Sequence, residues 1–327
     1  MNKFLPLTSC LLLSFSVLLT AQEDKATPPG LGDPGALQSI DIDNVDDNQT
    51  TIISGRDAGL QVIVTGNYDS GQHRDLTRDV VYSSAPTGFV EVSSSGFVSP
   101  IAEGAVVITA KFDGKLSTTV SIQVTNIVKD LAVNFPNEVT PVFTKFGCNG
   151  GGCHGKSSGQ NGFRLSLLGF EPEEDYEFLV KEGRGRRVFP AAPERSLLLQ
   201  KAVGVVPHGG GARLSGDSPS YRLLSRWIEQ GMPYGQPEDP TVTRIVVLPE
   251  ERLMQRDGAQ QISVFAYFSD GSMRDVTRTT AFDSNSTEMA EVNETGLVTT
   301  SQLTGSVAVM ARYQGHVGAQ RYRWVSK

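Results

Sequence analysis

Arg74-Asp75-Leu76-Thr77-Arg78 returns two hundred residues later as Arg274-Asp275-Val276-Thr277-Arg278. At the same offset Glu91-Val92 with Gly96 returns as Glu291-Val292 with Gly296. After a one-residue slip Ala110-Lys111-Phe112-Asp113-Gly114 matches Ala311-Arg312-Tyr313-Gln314-Gly315. The chain therefore carries two copies of one unit around a centre that belongs to neither. Each copy reads as short strands. Leu60-Gln61-Val62-Ile63-Val64-Thr65 and Ile262-Ser263-Val264-Phe265-Ala266-Tyr267 are alternating or β-branched, and Gly and Asp turns such as Asp270-Gly271 separate the runs. Strands at a spacing of about 8 to 12 residues predict a β-sandwich for each copy.

The N-terminus bounds the compartment. Met1-Asn2-Lys3, a mostly apolar run over residues 4–19 and Thr20-Ala21-Gln22-Glu23 form a secretory signal peptide, with cleavage expected after Ala21. Leu7-Thr8-Ser9-Cys10 resembles a lipoprotein box, but the apolar run follows Cys10 instead of preceding it, so lipidation is not expected. Losing Cys10 with the signal leaves Cys148 and Cys153 of the 3 cysteines. Past the signal no run of about 20 apolar residues predicts a membrane span. The net charge of -7 leaves no basic footprint for nucleic acid. The expected location is secreted, periplasmic or cell-surface.

Both remaining cysteines lie in Cys148-Asn149-Gly150-Gly151-Gly152-Cys153-His154. Two thiols closed by Cys-His are the pattern for attaching haem c: the sulfurs form thioethers, and His154 gives the iron an imidazole nitrogen. Four residues between the cysteines instead of two depart from the usual spacing, and the glycines would let the extra residues loop outward. Two other readings stay open. The cysteines could close a small disulfide in an exported protein, or share zinc with His154 and a fourth ligand. For a second axial ligand the candidate is His208, in Val206-Pro207-His208-Gly209-Gly210-Gly211. Met232 and an open site are the alternatives. Arg186 and Arg187, in a basic cluster of an acidic chain, are candidates to pair with haem propionates. Phe163, Leu165, Leu167, Leu197, Leu198 and Trp227 are expected to line the apolar pocket.

Around this motif the pattern turns helical. Thr140-Pro141 reads as an N-cap followed by proline, with Val142, Phe143 and Phe146 on one face before Gly147. Residues 175–182 and 194–203 are short candidates. Ser218-Pro219 opens a helix whose Tyr221, Leu224, Trp227 and Ile228 share a face before Gly231. The Asp of each Arg-Asp-x-Thr-Arg string is expected to hold a turn through side-chain hydrogen bonds, and His73 and His316 to be loop or strand residues.

Two resemblances follow from these residues. Phe268-Ser269-Asp270-Gly271-Ser272-Met273-Arg274-Asp275-Val276-Thr277, then Ala290-Glu291-Val292, Gly296-Leu297-Val298 and Gly305-Ser306-Val307-Ala308-Val309, resembles the bacterial Ig-like domain of group 2. The central run resembles the planctomycete-type cytochrome c domain. It is carried by residues 147–156, Gly162-Phe163-Arg164-Leu165-Ser166-Leu167-Leu168-Gly169-Phe170, Pro193-Glu194-Arg195-Ser196-Leu197-Leu198-Leu199, Pro207-His208-Gly209-Gly210-Gly211 and Trp227-Ile228-Glu229-Gln230-Gly231. That resemblance implies thioether roles for Cys148 and Cys153 and a proximal role for His154. The expected fold is multidomain: two all-β Ig-like sandwiches flanking a small all-α cytochrome c-like domain. The expected divisions are signal peptide 1–21, linker 22–36, Ig-like 37–127, haem domain 135–236 and Ig-like 240–325. The expected function is an exported haem c protein carrying electrons to an unidentified redox partner, more a carrier than an enzyme. Its Ig-like modules would give envelope or partner contact. The alternative is a cofactor-free surface structural or adhesion protein with a Cys148–Cys153 disulfide.

Overall fold

The run over residues 60–65 that reads as one strand is in fact two, whereas its counterpart over residues 262–267 lies almost wholly in one. In the computed structural model, which describes residues 31–45, 50–303 and 305–324, the run breaks at Val62-Ile63 and its halves enter different sheets. Leu60, Gln61, Val62, Ile63 and Val64 are all buried, so this segment has no solvent face and crosses the core from one sheet to another. The expected signal peptide lies outside the described residues.

The first copy comprises β1 (Leu37–Ile42), β2 (Thr51–Ser54), β3 (Leu60–Gln61), β4 (Val64–Tyr68) and β5 (His73–Asp75). It continues with β6 (Val81–Ala85), β7 (Val90–Val92), β8 (Phe97–Pro100), β9 (Gly104–Phe112) and β10 (Leu116–Thr125). Its sheets run β1-β4-β5, β2-β10-β9-β6 and β3-β8-β7. The second copy repeats the plan with β11 (Val242–Leu248), β12 (Glu251–Met254), β13 (Ala259–Gln261), β14 (Ser263–Phe268) and β15 (Met273–Asp275). It closes with β16 (Ala281–Ser284), β17 (Ala290–Val292), β18 (Leu297–Thr300), β19 (Ser306–Tyr313) and β20 (His316–Trp324), in sheets β11-β14-β15, β12-β20-β19-β16 and β13-β18-β17. Each copy buries its own apolar core: Val106, Ile108, Val120 and Ile122 in the first, Val307, Val309, Ala311 and Tyr322 in the second. These residues alternate along their strands with more exposed ones, as a half-buried sheet requires.

The two copies dock on each other through the repeated motif itself. Asp75 accepts the Thr77 N–H at one carboxylate oxygen (2.8 Å), the turn role expected for it, and the Gln261 N–H at the other. Asp275 does the same with Thr277 (2.8 Å) and Gln61 (2.7 Å). Arg78 donates to the Gln261 side-chain oxygen (2.8 Å), and Arg278 to that of Gln61 (3.0 Å). Each bond thus occurs twice with the copies exchanged, an isologous contact inside one chain. Phe265 of the second copy is buried in the core of the first. Arg252, paired with Asp43 at 2.9 Å, adds a bond made in one direction only.

The centre corrects the fold expectation. In place of a distinct all-α domain it forms four short helices joined by loops and tight turns, wedged between the modules of a mostly β chain. These are α1 (Thr140–Lys145), α2 (Pro172–Tyr176), α3 (Leu197–Ala202) and α4 (Pro219–Glu229). Only α4 reaches three turns, because proline and glycine punctuate the rest at Gly147, Pro172, Pro193 and Pro207. The helical start expected at Thr140 lies earlier, at Asn134. There the Asn134 side chain accepts the Asn137 N–H (2.9 Å), and Glu138 accepts the Asn134 N–H (2.7 Å), a reciprocal cap ahead of a wide turn over Phe135–Val139. The candidate at 194–203 is interrupted at Ser196. The helix expected after Ser218 forms, with the Ser218 hydroxyl accepting the Tyr221 N–H at 3.2 Å. Its Leu224, Trp227 and Ile228 face a core with Phe135, Phe143 and Leu199.

The centre is tied to both modules. Arg226 of α4 pairs with Asp57 of the first. Tyr313 of the second donates its hydroxyl to the Asn137 carbonyl (2.6 Å), and Gln314 donates to the Asn137 side chain (2.6 Å).

Candidate functional site

The cysteine loop is built by one buried asparagine. After α1 stops at Gly147, in the left-handed region at φ 70°, the Cys148 N–H returns to the Phe143 carbonyl (2.8 Å) and the His154 N–H to that of Cys148 (3.0 Å). Asn149 donates from its side-chain amide to the Thr144 hydroxyl (2.9 Å), while its carbonyl accepts the Leu168 N–H (3.0 Å). Gly155 crosses directly over that carbonyl, and a Cβ there would stand 1.9 Å from the Asn149 oxygen. The glycines therefore serve close backbone approach within the loop as much as loop flexibility.

The loop walls a cleft of about 500 Å³. Cys148, Cys153, His154 and His208 all line it, so the structure brings together the four residues singled out in the sequence. The two imidazoles lie parallel to within 7°, with ring centres 6.2 Å apart. His154 Nδ1 faces the Phe163 carbonyl (2.9 Å), and His208 Nδ1 faces the Gly211 carbonyl (3.0 Å). Because a carbonyl only accepts, each Nδ1 carries a proton, which leaves Nε2 as the nitrogen that could ligate. Burial lowers the His154 pKa, and neighbouring His208, Lys201 and Arg187 lower it further against the opposing Phe163 bond. Burial pushes the Cys148 thiol up to about 11. Both cysteines are free thiols, so the disulfide of the alternative reading is not formed in this structure.

Other site expectations divide. Phe163, Leu165, Leu197 and Leu198 line the cleft with Phe143 and Leu179. Trp227 sits in the core behind it, and Leu167 is half exposed away from it. Met232 lies off the cleft, its carbonyl accepting the Tyr176 hydroxyl (2.7 Å). Arg187 borders the cleft but is committed elsewhere: it donates to the carbonyls of Phe178 (2.7 Å), Glu182 (3.0 Å) and Gly162 (2.7 Å) and lies over the Phe163 ring. It is a staple of the loop, not a free cation. Arg186 is exposed at the rim. Lys201 and Arg213 also line the cleft and were not singled out in the sequence. Among the described residues the lining holds no carboxylate. Lys201 shares the cleft face of α3 with Leu197 and Leu198, so helical spacing could have found it. His73 is an exposed strand residue, and His316 bonds the Val242 carbonyl (3.0 Å), as expected of structural histidines.

No family model matches the chain. Over 256 residues it is 23% identical to Ice-binding protein 1 of Shewanella frigidimarina, covering 76% of this chain and 25% of that protein. The chain thus spans about a quarter of the length of the curated relative it matches. Among solved structures, domains 4–9 of the surface layer protein SbsC align over 89% of this chain and 32% of theirs, at 12% identity and a TM-score of 0.33. The D00-D0 domain of Intimin aligns over 88% and 99%, at 8% identity and a TM-score of 0.18. What the chain is similar to is an ice-binding protein and, at scores too low to equate folds, surface-layer and adhesin domains. Among the described residues no three His, Cys, Asp or Glu side chains converge on a place for a metal ion. Without such a cluster the expectation of a metal ion held by these side chains alone is corrected, zinc included, and without a separate all-α domain so is that of an electron-carrying cytochrome domain.

Proposed function

We propose that the chain is an extracytoplasmic surface structural protein in which two Ig-like modules dock on each other and hold the central segment between them. The observation that carries this reading is the reciprocal Asp75–Gln261 and Asp275–Gln61 contact. It makes one stiff unit of two β modules, a construction suited to bearing or spacing at a surface. The export signal read at the N-terminus supports the location. Ice binding belongs to a relative of which the match covers only 25%, and it is not carried over. The test is fractionation of cells producing the full chain, with protease treatment of intact cells. Envelope or medium recovery with protease sensitivity is expected; retention in the cytoplasm would overturn the reading.

A second reading concerns the cleft alone, and the paired imidazoles favour it. We propose that the cleft takes a covalently attached haem c. The two imidazoles share the cleft with both thiols, parallel to within 7° and with ring centres 6.2 Å apart, and a haem needs two protein ligands, not three. His154 and His208 would ligate its iron, Cys148 and Cys153 would attach it through thioethers, and Arg186, Lys201 and Arg213 would supply charge for its carboxylates. When bound, it supplies a redox-active iron. Intact mass and a pyridine haemochrome spectrum of protein made with c-type haem maturation test this, and a mass without added haem refutes it. A low-spin spectrum unchanged in His208→Ala refutes the role of His208.

A further inference from the structure

Arg278 works at both ends of its own backbone unit. Its guanidinium crosses to the Gln61 side chain of the first module (3.0 Å), while its carbonyl accepts a hydrogen bond from the Lys145 ammonium. Lys145 also donates to the Glu294 carbonyl (2.9 Å), so both of its second-module partners are backbone oxygens. It is the last residue of α1, which lies against β16, β19 and the turn over Thr277–Thr279 that contains Arg278. From Lys145 the path to the cleft is short. Phe143, on the same helix, lines the cleft, and its carbonyl accepts the Cys148 N–H at 2.8 Å.

Lys145 is half-buried, and a partly desolvated cation needs acceptors, so this bond pair sets where the end of α1 can rest. Burial draws the Lys145 pKa down to about 8, with Glu294 opposing and Arg278 adding to the fall. An unbroken series of bonded groups therefore runs from Gln61 in one module, through Arg278 in the other, to the helix that launches the cysteine loop.

We propose that Lys145 is a positioning residue that couples docking of the two β modules to the shape of the cleft. The coupling is independent of what occupies the cleft. Undocking at Gln61 frees the Arg278 turn, the turn releases Lys145, and the loop over residues 147–155 loosens although no residue in it has been touched.

The test is amide hydrogen exchange by mass spectrometry on the full chain, comparing wild type, Lys145→Met and Gln61→Ala. Both variants are expected to speed exchange in the peptide covering 147–155 at least tenfold, with the α4 peptide unchanged. The decisive variant is Gln61→Ala, which lies in the other module and touches neither α1 nor the loop. If it leaves 147–155 within twofold of wild type, the coupling is wrong, even where Lys145→Met loosens the loop as a local anchor would. Should Lys145→Met fail to fold, Gln61→Ala decides alone.

Discussion

Replacing Asp275 by Asn tests the buried inter-module contact through its pH dependence. The carboxylate is buried and accepts backbone N–H bonds from Gln61 (2.7 Å) and Thr277 (2.8 Å). Burial outweighs these bonds and nearby Arg278, and raises its pKa from 3.8 to about 6. A raised folded-state pKa means that the folded chain holds the proton more tightly than the unfolded chain. The stabilising share is then complete below about pH 4 and is lost as pH rises through about 6. At 1.36 kcal/mol per pKa unit the share is about 3 kcal/mol. A side-chain amide does not titrate, so the Asp275→Asn variant should gain about 3 kcal/mol on wild type between pH 4 and pH 7.5, whatever offset its altered hydrogen bonds impose. Asp75, shifted the same way, is present in both proteins and cancels. Urea unfolding followed by far-UV circular dichroism at four pH values measures the gap. A gap flat across that range would show that no buried charge is involved. A gap that closes as pH rises would show that the N–H donors and Arg278 outweigh burial.

Three further outcomes are expected. Trp227→Ala removes a fully buried indole that also donates to the Pro233 carbonyl (2.9 Å), and should cost about 3–5 kcal/mol in thermal or urea unfolding; a loss under 1 kcal/mol would mean that the central core collapses onto the gap. Gly155→Ala drives a methyl into the Asn149 carbonyl and should destabilise by about 1–3 kcal/mol, with the 147–155 amides losing exchange protection, and normal protection in the variant would contradict the crossing. Arg252→Ala and Asp43→Ala, combined in a double-mutant cycle, should show a coupling of about 1 kcal/mol, because the pair at 2.9 Å is only partly exposed; additive losses would reduce it to a surface contact.

The β modules were legible because each strand with one wet face writes its burial into a period of two, as in Val106, Ile108 and Ala110. Where both faces are buried that signal vanishes. This is why residues 60–65 read as one strand when they are the crossing between two sheets. The cleft residues could be recognised by type, since cysteines and histidines are few and each has a narrow chemistry. The all-α expectation overreached for a related reason. Runs of one or two turns carry too few periods to separate a helix from a loop that happens to bury every third or fourth residue, and Ser196 and the prolines decide the matter locally.

The docking of the two copies was hidden by a partial answer that looked complete. An aspartate two residues before a threonine explains itself as a turn, and in both copies it does hold that turn through one oxygen. A carboxylate has two oxygens, and when it is buried both need donors. Local turn chemistry supplies a donor for one of them, so the second must be met from elsewhere. A motif that recurs in two copies raises that demand twice, and the most economical supplier is the other copy, since one rotation then satisfies both. Gln61 and Gln261 carry out that exchange: each gives its backbone N–H to the opposite aspartate and its side-chain oxygen to the opposite arginine. In a duplicated chain, a buried polar group left half-satisfied by its own neighbourhood points to its twin.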